Sequence, residues 1–149
     1  MSESLKLCGA DESLLPLLVF VKQEQGLSYP ARDIAARAAM HFPEKLSFQF
    51  DSRLLLPMVY TDKADLLAHR RKFEKGLVEL EAMLPSLKQE ASQIHTLARS
   101  NFLLAYQGEN DLPLQRRYAN ILGSLIDAAD PTLRATYRPE QPAQANSPR

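Results

Sequence analysis

Apolar positions recur along the chain at three- and four-residue steps, interrupted by proline and glycine, and that rhythm predicts helices. Leu14, Leu17, Leu18 and Val21 mark a first helix, with Asp11 or Ser13 as its cap and Pro16 in its first turn, where a missing N–H is tolerated. Gly26 is the expected stop, because a helix end often needs a left-handed residue. Ser28 and Pro30 open a second helix, whose face of Ile34, Ala35, Ala38 and Ala39 is small enough for close helix–helix approach. His41, Phe42 and Pro43 end it. From Glu44 to Tyr60 the pattern is double: Leu46, Phe48 and Phe50 alternate as a strand would, whereas Phe50, Leu54 and Met58 keep helical spacing. A lone strand could not satisfy its own backbone, so a helix is expected, kinked or ended by Pro57.

Asp62 followed by Asp65 resembles a capping box at the start of a fourth helix. Leu66, Phe73, Leu77, Leu80 and Leu84 line one face of it, and Pro85 is expected to close it. A fifth helix is expected from Ser86 or Ser92 through Ile94, Leu97, Ala98, Phe102 and Ala105, ending at Gly108. Asn110-Asp111 then caps a sixth, with Pro113 early and a stripe of Leu114, Tyr118, Ile121, Leu122, Leu125 and Ile126. Past Asp130-Pro131 the last 19 residues hold four prolines and almost no apolar anchor. The expectation is therefore an all-α domain over residues 1–130, an array of about six helices in antiparallel hairpins. A disordered tail or severed linker follows over 131–149. The hairpin units have tetratricopeptide length, without the signature of that repeat.

Composition narrows the function classes. A chain of 149 residues holds one domain with a real core. Lys plus Arg and Asp plus Glu are 18 each, and a neutral balance argues against a general nucleic-acid or anionic-membrane binder. One cysteine, Cys8, excludes an internal disulfide and a multi-cysteine zinc site. The apolar run Leu14 to Val21 is too short to span a bilayer and follows no basic stretch, so the cytoplasm is the expected location.

Few residues carry chemistry. His41, His69 and His95 lack metal-ligand spacing, Cys8 lacks a basic neighbour, and no nucleophile elbow or phosphate loop is present, so no metal or cofactor is expected. His69, Arg70, Arg71, Lys72 and Lys75 could grip phosphate. Asp62, Asp65, Glu74, Glu79 and Glu81 intersperse on the same helix, however, and Glu79 lies one helical turn from Lys75. In Tyr106-Gln107-Gly108-Glu109-Asn110-Asp111 a glycine C-cap followed by an Asn or Asp N-cap accounts for the backbone. The density of polar groups there suits a turn that docks against another domain. Gly76 would let a neighbouring helix approach, at about 1 kcal/mol of helix propensity.

Two stretches carry a family resemblance. Phe50-Asp51-Ser52-Arg53-Leu54-Leu55-Leu56-Pro57-Met58-Val59-Tyr60 leads into Arg70 and Phe73-Glu74-Lys75-Gly76-Leu77. Asn101-Phe102-Leu103-Leu104-Ala105-Tyr106-Gln107-Gly108-Glu109-Asn110-Asp111 leads into Leu114-Gln115-Arg116-Arg117-Tyr118. Together, over roughly Leu46 to Ile126, they resemble the segment joining the tetratricopeptide repeats to the catalytic half of bacterial SPINDLY-like, O-linked N-acetylglucosamine transferase-type proteins. The resemblance implies transferases that move a sugar from a nucleotide donor to protein Ser or Thr, with the donor held between two Rossmann-like lobes after this segment. This chain ends where the first lobe would begin, so no catalytic or donor-binding residue carries over.

The leading expectation is a non-catalytic helical module that presents acceptor protein or docks catalytic lobes, with Arg53, Tyr60, Tyr106, Gln107, Asn110 and Asp111 as interface candidates. The alternative is an independent helical adaptor unrelated to glycosylation. An enzyme in its own right is the weakest, since no convergent polar pocket is visible. Either leading reading expects a protein partner, not nucleic acid or membrane.

Overall fold

The computed structural model describes residues 14–97 and 101–133. Among them the chain is all-α, with six helical segments of nine residues or more and no strand. We label the α-helices α1 (Leu14–Glu24), α2 (Ser28–His41), α3 (Leu46–Leu54), α4 (Lys63–Leu87) and α5 (Leu112–Ala129). The sixth segment, Lys88–Thr96, is a 3₁₀ helix, as are the shorter Phe102–Gln107 and Pro131–Leu133. Each α-helix packs on the next, which makes a helical array, and the 3₁₀ segment 88–96 packs on α3, α4 and α5.

Two apolar cores share α3. Leu46, Phe50, Leu54 and Leu56 join Phe73, Leu77 and Leu80 of α4, Leu104, and Leu114, Ile121 and Leu125 of α5. Phe48 and Leu55 join Leu15 and Val19 of α1 and Ala31, Ile34, Ala35 and Ala38 of α2. A helix sandwiched between two cores buries side chains on opposite faces, which explains why Leu46, Phe48 and Phe50 alternate in sequence. It ends before Pro57: Leu55 is already extended (φ −64°, ψ 123°).

Several boundaries differ from expectation for identifiable reasons. The buried side of α1 is Leu15, Val19 and Gln23, whereas Leu14, Leu17 and Val21 face outward. Its expected caps Asp11 and Ser13 lie outside the described residues. Helix α4 runs through Pro85 to Leu87: the proline forgoes one backbone hydrogen bond, and burial of Leu87 beyond it offsets that loss. The expected fifth helix is instead two 3₁₀ segments. Ser92, Gln93 and their neighbours offer the backbone other partners: Gln93 Nε2 donates to Glu44 O (3.1 Å), Leu46 N donates to Gln93 Oε1 (3.4 Å), and Thr96 Oγ1 donates to Gln93 O (2.7 Å). Glu90 is non-helical (φ −103°, ψ 15°). The α5 stripe buries Leu114, Ile121 and Leu125, while Ile126 is exposed. Past the expected domain end, Pro131–Leu133 forms one more turn, in which Thr132 N donates to Asp130 Oδ1 (2.9 Å). The rest of the expected tail, 134–149, lies outside the described residues.

Candidate functional site

The first turns of α4 place two adjacent polar residues on different sides of the helix, since successive residues are about 100° apart. Asp62 caps the helix by accepting from Asp65 N (2.8 Å). The Asp65 carboxylate reaches back to accept from Thr61 N (3.1 Å), one residue earlier than a capping box requires, and this bond holds the carboxyl below its usual range. One turn on, His69 faces α2 and Arg70 faces the turn between the 3₁₀ segment Phe102–Gln107 and α5.

Arg70 is the centre of the second set. Its Nη1 donates to Gln107 Oε1 (2.9 Å) and Asp111 Oδ1 (2.6 Å), and its Nη2 donates to Asn110 O (2.6 Å). Gln107 in turn donates through Nε2 to the Tyr60 hydroxyl (2.6 Å). Gly108 adopts φ +68°, which lets the 3₁₀ segment end and the chain turn back over Arg70. The planar guanidinium fits such a fork because its two terminal nitrogens reach separate acceptors, whereas a lysine offers all its donors from one nitrogen.

His69 is 3 % exposed. Its Nε2 lies 3.2 Å from the Tyr29 hydroxyl and 3.5 Å from Asp65 Oδ1, and Tyr29 OH is 3.4 Å from that same oxygen. With Tyr29 donating to Asp65, His69 Nε2 carries the hydrogen and donates to Tyr29. The other ring nitrogen, Nδ1, is buried with no hydrogen-bond partner. The rings of Tyr29 and Tyr60 flank the imidazole at 5.3 and 5.9 Å between centroids. Burial pushes the His69 pKa down, with Lys72 and Arg32 acting in the same direction and Asp65 against them. Burial likewise raises Tyr60, against the bond from Gln107.

Four of the six interface candidates, Tyr60, Gln107, Asn110 and Asp111, therefore converge on one internal network around Arg70. Within the 106–111 turn, Gln107, Asn110 and Asp111 find their partners inside the chain. Asp111 sits at the start of α5 without using its side chain as a cap; Asn110 Oδ1 accepts from Leu112 N instead (3.2 Å). Arg53 stands apart, bonded through Nη1 to Gln49 Oε1 (2.8 Å) and ion-paired through Nε with Glu79 (3.2 Å), geometry too bent for a hydrogen bond. Tyr106 is 78 % exposed and meets Phe102, itself 56 % exposed, edge-on (6.0 Å between centroids).

Arg70 and Tyr29 were not singled out by sequence reasoning as site residues. In the sequence Arg70 reads as part of the basic cluster on the fourth helix, and its partners lie 37 and 41 residues away, beyond any local spacing rule. Lys75 of that cluster does pair with Glu79 within the helix (3.8 Å). No group of histidine, cysteine, aspartate and glutamate suited to a metal ion occurs among the described residues, and no described helix is long and apolar enough to cross a membrane.

No protein-family model, curated protein or solved structure matches this chain.

Proposed function

We propose that this chain is a non-catalytic helical interaction module, whose binding face is the aromatic pair Phe102 and Tyr106. The observation that carries this reading is the contrast within one turn. Gln107, Asn110 and Asp111 are consumed in fixing its backbone to α4, while the two rings beside them project outward. Large rigid aromatics held on an ordered turn are the residues that anchor protein interfaces, because they bury much area with little loss of rotamer freedom. The outward Leu14, Leu17 and Phe20 of α1 add further exposed apolar surface.

The resemblance to the segment that precedes the catalytic half of O-linked N-acetylglucosamine transferase-type proteins supports a partner in protein O-glycosylation, either catalytic lobes or an acceptor protein. Tyr106 is the clean probe, because its ring supports no described fold contact beyond Phe102. Asp111, by contrast, is a structural residue whose removal would disturb the turn itself. The test is affinity capture of the full chain from its own cells, comparing it with Phe102→Ala/Tyr106→Ala. A nucleotide-sugar transferase or a sugar-modified protein recovered by the parent chain and lost with the double variant is the expected outcome. Equal recovery by both would remove the aromatic face. Partners unrelated to any transferase, lost with the double variant, would point to an independent adaptor.

A further inference from the structure

Tyr60 belongs to both polar sets at once: its ring packs on His69, and its hydroxyl accepts from Gln107, which Arg70 holds. We infer that His69 and Tyr60 form a proton-sensitive coupling, through which acidification below neutral pH loosens the Phe102–Gln107 turn and so regulates the face that carries Tyr106. The inference rests on that face being the binding surface proposed above, and it adds how its order is controlled.

His69 is enclosed by Tyr29 and Arg32 from α2, Tyr60 from the segment before α4, and Asp65 and Lys72 from its own helix. In the neutral ring, Nδ1 is a desolvated acceptor without a donor. Protonation turns it into a buried N–H with no acceptor, and it adds a positive charge to the ring close to Arg32 and Lys72. One carboxylate, Asp65, favours the charged form, but it faces Nε2 and leaves Nδ1 unrelieved. A buried charge with an unsatisfied donor is relieved by movement of the ring toward water or toward an acceptor. Tyr60 packs edge-on against the imidazole (5.9 Å between centroids), so movement of the ring on that side displaces Tyr60 and breaks the Gln107 bond (2.6 Å) that tethers the end of the turn. Gln107 keeps its contact to Arg70, so the turn loosens rather than unfolds.

The experiment follows the ring signals of His69 and Tyr106 in the full chain by ¹H–¹³C nuclear magnetic resonance, from pH 7.5 to pH 5. No binding partner is needed, so the result stands whether or not capture depends on Tyr106. The expected result is that His69 titrates below the ordinary histidine value of about 6.5 and that the Tyr106 signals move with the same midpoint. In Tyr60→Phe, which keeps the ring and removes the hydroxyl, His69 still titrates and Tyr106 stays still. In His69→Phe, which keeps an aromatic in the cleft, the Tyr106 transition is absent. Failure of His69 to titrate in this range overturns the coupling, as does a Tyr106 signal that ignores a titrating His69. Persistence of the Tyr106 transition in either variant also overturns it; if His69→Phe does not fold, Tyr60→Phe alone decides.

Discussion

Gly76→Ala is the most demanding test of the packing described above, because two effects of opposite sign act at one position. Alanine is favoured over glycine in a helix interior by about 1 kcal/mol. Gly76 lies in the middle of α4, facing the last turn of α3, and a Cβ there would sit 2.5 Å from Arg53 O and 3.0 Å from both Arg53 C and Arg53 Cβ. Ordinary contacts to a Cβ begin near 3.4 Å, so α3 and α4 must separate by most of an ångström. The obstacle is backbone, which cannot swing aside as a long side chain can. Overpacking of this kind costs about 1–3 kcal/mol, and with backbone on one side the upper end applies. After the propensity gain, a net loss of about 2 kcal/mol remains. At about 4 °C per kcal/mol for a domain of this size, Tm falls by about 8 °C. Gly123→Ala in α5 is the matched control: nothing lies within 4 Å of its Cβ, so it should gain up to about 1 kcal/mol. Thermal unfolding by circular dichroism reads both. A Gly76→Ala protein as stable as Gly123→Ala would show that α3 and α4 do not approach this closely.

Replacing Arg70 with Met leaves Asp111 and the Asn110 carbonyl without their donor in a half-buried site, and a loss of about 2–3 kcal/mol in urea unfolding is expected; Arg70→Lys should recover little of it, since a single ammonium nitrogen lacks the fork that spans the Gln107, Asn110 and Asp111 acceptors. The lowered His69 pKa makes stability full above the unfolded value of about 6.5 and diminishing as pH falls from there toward the folded value. Between pH 7 and pH 5 the parent chain should therefore lose stability more steeply than His69→Phe, and parallel profiles would contradict the buried neutral ring. Phe73→Ala, deleting a fully buried ring of the larger core, should cost about 3–5 kcal/mol by the same assay.

Much of the fold was legible because local signals agreed with packing. Asp62 caps α4 as its sequence suggests, Gly26 and Gly108 take the left-handed φ (+73° and +68°) expected of helix stops, and Phe73, Leu77 and Leu80 are buried. Gly76 admits a neighbouring helix, as its place on α4 suggests. The misreadings arose where a local rule met a competing tertiary partner. Pro85 reads as a stop, yet burial of Leu87 carries the helix past it. The stretch after Ser86 has helical spacing, but Gln93 spends its side chain tying that segment to Glu44 and Leu46, and a 3₁₀ path results. The candidate site was half legible. The polar crowding of 106–111 was visible, but not that Arg70 satisfies it from within the chain, because that pairing exists only once α4 and α5 are packed together. His69 was legible as a histidine without metal-ligand spacing; its burial between Tyr29 and Tyr60 was not.

The most direct test of the proposed binding face is a photo-reactive amino acid placed at Tyr106 of the full chain in its own cells, with the same group at exposed Lys75 as the reference position. The account predicts a discrete crosslinked product at 106, identified by mass spectrometry as a sugar-transferring or sugar-bearing protein, and none of it at 75. Equal or absent crosslinking at the two positions would contradict a binding face built on Tyr106.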